Sequence, residues 1–161
     1  MAARAAQVEE PDPETIDASA VLLASEDREI PRSAIEFTAR LARRNGAPVH
    51  VFSIARIWGT SLGFPSPGLY PTKHEWEAQR ANVDRAVRAL RKKGVEAHGR
   101  VIGTRAAAKR IVHEAESLDC DAIVMAADPP RGRLVSDFVW SQEPYRVRRR
   151  SNVPVYLVPD S

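Results

Sequence analysis

Cysteine is nearly absent: Cys120 is the only one in 161 residues. A single thiol excludes an internal disulfide framework and a multi-cysteine zinc site. It also makes a reducing cytoplasm the simplest home. No run approaches the ~18 apolar residues that a membrane span requires. The first twenty residues have no basic segment followed by an apolar one, so no secretory signal is expected. Aromatics are few, at 6%. The four histidines, His50, His74, His98 and His113, are too far apart in sequence to suggest a metal site. His50 and His98 read as structural residues of strands, and His113 as an exposed helix position. No G-x-S-x-G elbow surrounds Ser25, so it does not read as a nucleophile.

What remains is the composition of an ordinary globular domain, 43% hydrophobic and 28% charged, with a formal net charge of +3. At this length one domain is expected, burying roughly 68–70% of the surface its unfolded chain exposes. The charge is uneven. Residues 1–20 sum to −4, from Arg4 against Glu9, Glu10, Asp12, Glu14 and Asp17, so the rest carries +7. Residues 1–18 are expected to be a disordered acidic tail, with the domain over 19–161. The positive excess peaks at Arg146, Arg148, Arg149 and Arg150. That run reads as the solvated last turn of a helix, whose cations suit the helix dipole. No aromatic is interleaved as binding to single-stranded nucleic acid favours.

Hydrophobic periodicity supplies the architecture. Short apolar runs at 20–24, 49–54, 121–126 and 155–158 read as buried strands, and 95–102 as a more alternating strand nearer an edge. Helical spacing fills 31–44, 72–93 and 105–118, and two short helical pieces are expected at 134–140 and 142–150. Gly46 and Gly94 stop the first two helices. The order is β-α-β-α-β-α-β-α-β, which means a doubly wound parallel α/β sheet with helices on both faces. Such a sheet binds ligands beyond the carboxyl ends of its strands. Residues 58–72 form an insert with three glycines, three prolines, Trp58, Phe64, Tyr70 and no charge. It reads as a long connection, either a lid, a partner surface or simple packing on the sheet. Cys120 reads as a small buried hydrophobe, and Asp128 as a turn residue before Pro129.

The order of these pieces resembles the universal stress protein family of the adenine-nucleotide-binding α/β superfamily. Three stretches carry the resemblance. Leu118-Asp-Cys-Asp-Ala-Ile-Val-Met125 enters the fourth strand, Ser151-Asn-Val-Pro154-Val-Tyr-Leu-Val158 ends the sheet, and Ser33-Ala34-Ile35-Glu36 starts the first helix. The resemblance covers about 19–159 and implies strand order 3-2-1-4-5. It also implies a homodimer through the fifth strand, Pro154, Val155, Tyr156, Leu157 and Val158.

ATP-binding members carry G-x2-G-x9-G-[ST] after strand four, where glycines let backbone N–H groups approach phosphates. This chain departs from it. With Ser141 as the hydroxyl, the glycine positions fall on Ala127, Pro130 and Trp140, and other registers meet Pro129 or Gln142. The acid usually found after strand one falls on Glu26, with Asp27 beside it. Any nucleotide site would therefore draw on Ala24, Ser25, Glu26, Asp27, Ile54, Ala126, Asp128, Arg131, Gly132, Arg133, Ser141 and Gln142. Two readings follow. The chain is a non-catalytic regulatory or binding module that acts as a homodimer without ATP, with an unidentified protein partner. Alternatively it is an adenine-nucleotide sensor, with Arg131 and Arg133 gripping phosphates bidentately. A nucleotide hydrolase lacks a complete phosphate loop and a placed acid or base, and a nucleic-acid binder rests on the arginine run alone. No catalytic residue, metal or cofactor is assigned.

Overall fold

A computed structural model describes residues 11–56, 73–127 and 143–160. Its core is a five-stranded, all-parallel sheet in the order β3-β2-β1-β4-β5. The strands are β1 (Val21–Glu26), β2 (Val49–Arg56), β3 (Ala97–Thr104), β4 (Ala122–Ala127) and β5 (Val155–Pro159). The helices are α1 (Arg32–Asn45), α2 (Lys73–Lys92), α3 (Ala107–Ser117) and α4 (Glu143–Arg150). The expected fold class and strand order are those observed.

Both central strands, β1 and β4, are buried along their whole length. That explains their unbroken apolar sequences, because each face of a doubly covered sheet meets a helix layer. Val21, Leu23, Val49, Val51 and Val124 pack with α1 and α2 on one face. Leu22, Phe52, Ile54, Ile123 and Met125 pack with α3 and α4 on the other. Register is fixed at Val21↔Val49 and Val21↔Ala122, so side chains alternate in phase across the sheet. A fully buried leucine such as Leu23 contributes about 1.5–3 kcal/mol in this setting. β3 is an edge strand with a largely exposed first half, as its alternation implies.

The helix ends follow the sequence. Gly46 sits at φ +61° and closes α1 through its N–H to the Arg43 carbonyl at 3.4 Å. Pro31 precedes the first helical residue of α1 instead of sitting inside its first turn. Gly99 answers a packing need: a Cβ there would lie 2.4 Å from Val83 Cγ1 of α2.

One expectation is corrected. Residues 11–18 are not a loose tail. Pro13, Ile16 and Ala18 are buried, and Pro13–Thr15 form a 3-10 turn capped by Asp12. Arg44 and Asn45 both donate to the Ile16 carbonyl, at 2.7 and 2.8 Å. Arg40 and Arg44 pair with Glu14 and Asp17. The acidity that suggested disorder is neutralised by the basic last turns of α1, a long-range match that local composition does not reveal. Residues 1–10, the 58–72 insert and the expected 134–140 helix lie outside the described residues.

Candidate functional site

The carboxyl ends of β1 and β4 frame a cleft lined by Ala24, Ser25, Glu26, Arg28, Ile30, Pro31, Met125, Ala126 and Pro144. Four residues named from the sequence, Ala24, Ser25, Glu26 and Ala126, therefore meet here. Asp27 and Ile54 meet as well, but through the backbone: Asp27 N–H donates to the Ile54 carbonyl at 2.8 Å. Asp128, Arg131, Gly132, Arg133, Ser141 and Gln142 lie outside the described residues.

The 25–31 connection is firmly held. Asp27 adopts φ +45°, a left-handed conformation that costs a non-glycine residue energy and persists only where its surroundings enforce it. Ser25 Oγ donates to the Arg28 carbonyl at 2.7 Å. Asn82, projecting from α2, accepts from Ile30 N–H at 2.9 Å and donates to the Arg28 carbonyl at 2.8 Å. Gln79, one turn earlier, accepts from Ser53 Oγ at 2.7 Å and reaches Asp27 Oδ1 at 3.5 Å. Arg28 in turn pairs with Asp160, just after β5, at 3.0 Å. Sequence reasoning did not single out Gln79 and Asn82. Their signal was there: two amides at i, i+3 inside the buried stripe of an amphipathic helix. Pro144 falls in the expected 142–150 helical piece, and its place in the cleft wall needed the fold.

The cleft is narrow, with a volume of about 10 Å³. That is room for one water. Glu26 is 6% exposed and contributes a carboxyl group to the wall.

Elsewhere the side chains with chemical potential serve structure. His50 and His98 are register partners on β2 and β3 and stack at 5.8 Å. Burial, then the neighbouring His98, lowers the pKa of His50 below its ordinary value. His98 Nε2 lies 3.1 Å from Glu96. Glu114 is 3% exposed and anchors Arg100 at 3.0 Å and Arg110 at 3.6 Å. The Cys120 thiol is buried and pushed up to about 11, first by burial and then by Asp121, Glu114 and Asp119. Among the described residues, no three His, Cys, Asp or Glu side chains are grouped to hold a metal ion. No described helix is long and apolar enough to cross a membrane.

At the opposite edge of the sheet from β3, β5 has no neighbouring strand on its outer side among the described residues. A groove of about 340 Å³ follows this edge, lined by Pro11, Arg148, Val153, Pro154, Val155, Tyr156 and Leu157. The residues expected to form an interface from the sequence thus lie on an open edge.

Known proteins place this architecture. A universal stress protein from Archaeoglobus fulgidus superposes with a TM-score of 0.66 at 18% identity, over 88% of this chain and 94% of that one. A universal stress protein from Archaeoglobus fulgidus in complex with dAMP gives 0.64 at 20% identity, over 89% and 99%. A universal stress protein in complex with cAMP gives 0.63 at 16%, over 91% and 100%. At these identities the likeness establishes the fold alone. A search of curated protein sequences returned no match. The sequence model of the universal stress protein family matches residues 19–159. The chain belongs to the universal stress protein family.

Proposed function

We propose that this chain is a non-catalytic regulatory or binding module that acts as a homodimer through β5 and does not use ATP. One observation carries the reading: the cleft where the fold places a ligand is narrow, about 10 Å³, and among the described residues Pro31 and Pro144 line it beside Glu26 and Arg28. Prolines offer no N–H to a phosphate. The sequence after β4 agrees, because Pro129 and Pro130 stand where a phosphate loop needs donors and small residues. The open β5 edge supports the dimer, since an exposed apolar edge strand is an aggregation hazard unless it is covered. Sedimentation equilibrium tests it. A dimer is expected at micromolar concentration, and a monomer there refutes the homodimer.

The second reading, an adenine-nucleotide sensor, is favoured by the dAMP and cAMP bound to two proteins of this fold. It requires Arg131 and Arg133 to supply the phosphate contacts that glycine N–H groups make elsewhere. Loss of bound nucleotide on Arg131→Ala is its signature. Under the first reading the module works through contacts with a further, unidentified protein partner; under either reading we assign it to the cytoplasm and give it no catalytic role.

A further inference from the structure

The cations of α4 fan out across its outer surface. Val147 is fully buried and fixes which side of the helix faces the core. Successive residues turn by about 100°, so Arg148, Arg149 and Arg150 spread around the opposite side. Arg148 lines the groove on the β5 edge, and Arg150 lines a second groove against α3. Arg149 and Tyr145, one turn apart, stand between them. All three arginines are exposed, and none has a carboxylate partner among the described residues. Arg28, Arg40, Arg44 and Arg85, by contrast, each pair with an acid. Cations suit the last turn of a helix, but three side by side also repel one another. Tyr145 is 39% exposed, the only large hydrophobic side chain so placed among the described residues. Tyrosine and arginine are the types that dominate binding surfaces.

The groove against α3 has a volume of about 430 Å³. Lys109, Val112, His113 and Glu116 recur along it at i, i+3, i+4 and i+7, the outer stripe of α3, with Arg150 facing them. Val112 is half-buried and gives the groove an apolar floor. Lys109 and Glu116 stand about 10 Å apart along the helix, the span of about three extended residues. These features select the occupant. A phosphate backbone, charged at every unit, would meet Glu116 inside the groove and find a single aromatic to stack on. A polypeptide can set carboxylates on Arg149, Arg150 and Lys109, lay an apolar side chain over Val112, and present a neutral residue to Glu116.

We infer that the outer face of α4 and the α3 groove together bind an acidic, leucine-like segment of a protein partner, with Tyr145 as the aromatic anchor and Arg148, Arg149 and Arg150 as the charge contacts. The inference rests on the reading of this chain as a binding module with a protein partner, and supplies the surface and the partner's chemistry.

Fluorescence anisotropy on the full chain tests it, with a short labelled peptide of Glu-Glu-Leu-Asp repeats as the probe. A Gln-Gln-Leu-Asn peptide and an oligothymidylate of matching charge are the comparisons. The acidic peptide is expected to bind best, and to weaken as salt is added. Arg148→Gln/Arg149→Gln/Arg150→Gln weakens it roughly tenfold at low salt, and Tyr145→Ser, which leaves the charge alone, about fivefold. Arg43→Gln/Arg88→Gln/Lys92→Gln removes the same charge from exposed positions on α1 and α2 and leaves binding within about twofold of wild type. Equal weakening by the two triple variants overturns the site and leaves only net charge. Binding unchanged in Tyr145→Ser overturns the anchored surface. An oligothymidylate that binds tighter than the peptide and is lost in the α4 variant overturns the polypeptide as occupant, in favour of nucleic acid. No binding of the acidic peptide to wild type overturns the inference while leaving the dimer and nucleotide measurements untouched. A monomer or an ATP adduct overturns the proposed function and leaves the peptide result standing.

Discussion

Asp121 is the residue whose removal says most about how the chain is held together. Its carboxylate accepts Ser19 N–H at 2.9 Å on both oxygens, Ser19 Oγ–H at 2.8 Å and Ala20 N–H at 3.2 Å. It thereby ties the entry of β1 to the entry of β4. Burial pushes its pKa up, but the hydrogen bonds from Ser19 and Ala20 outweigh burial and leave it below the ordinary carboxylate value. A hydrogen bond to a charged group contributes about 1.5–3 kcal/mol when shielded. The site faces solvent, which discounts that figure, so Asp121→Ala is expected to cost about 1–2 kcal/mol. For a domain of this size each kcal/mol lowers Tm by about 2–4 °C. The assay is urea unfolding of wild type and Asp121→Ala from pH 7 down to pH 2. The folded pKa is depressed, so the unfolded chain takes up this proton first. The stabilisation is complete above the unfolded value of about 3.8 and is lost as pH falls through the folded value. The gap between the two proteins must therefore shrink in acid. A gap that is constant with pH, or absent at pH 7, refutes the reasoning.

Further outcomes follow from the same packing and charges. Gly99→Ala drives a methyl group to within 2.4 Å of Val83 Cγ1 and is expected to cost about 1–3 kcal/mol in chemical denaturation. Asn82→Ala leaves buried Ile30 N–H without its acceptor, costs about 1–3 kcal/mol, and speeds amide exchange at Ile30 selectively. Cys120, with its thiol pushed up to about 11, is ~10⁻³ thiolate at pH 8 and reacts with iodoacetamide far more slowly than a free thiol until the protein unfolds. His50 favours its neutral form when folded, so the unfolded chain binds this proton more readily. Its contribution holds above pH 6.5 and declines below it, and His50→Phe flattens that part of the stability profile.

Much of the fold was legible because its signals are local. Apolar runs at β1 and β4 and glycine at the ends of α1 and α2 depend on near neighbours. So does the alternation that marked β3 as an edge. What escaped was long-range. The acidic stretch 11–18 looked unable to fold because the arginines that neutralise it stand near residue 40. Asn82 looked like one more polar helix position, yet it reads two backbone groups of a loop some fifty residues earlier. A cleft does lie at the ends of β1 and β4, the end of the sheet that topology alone singles out. Its narrow lining was not legible, because Pro144 joins the wall only once α4 packs against the sheet. Asp27 shows the same limit: its left-handed backbone is imposed by Ile54 and the α2 amides, and no local turn signature announced it.

The central claim is that this universal stress protein domain dimerises through β5 without an adenine nucleotide. Native mass spectrometry of protein purified without added nucleotide, then titrated with ATP, ADP and AMP to millimolar concentration, tests it most directly. The account predicts a clean dimer mass with no nucleotide adduct at any point in the titration. A stoichiometric adduct lost on Arg131→Ala would contradict it and establish the sensor reading.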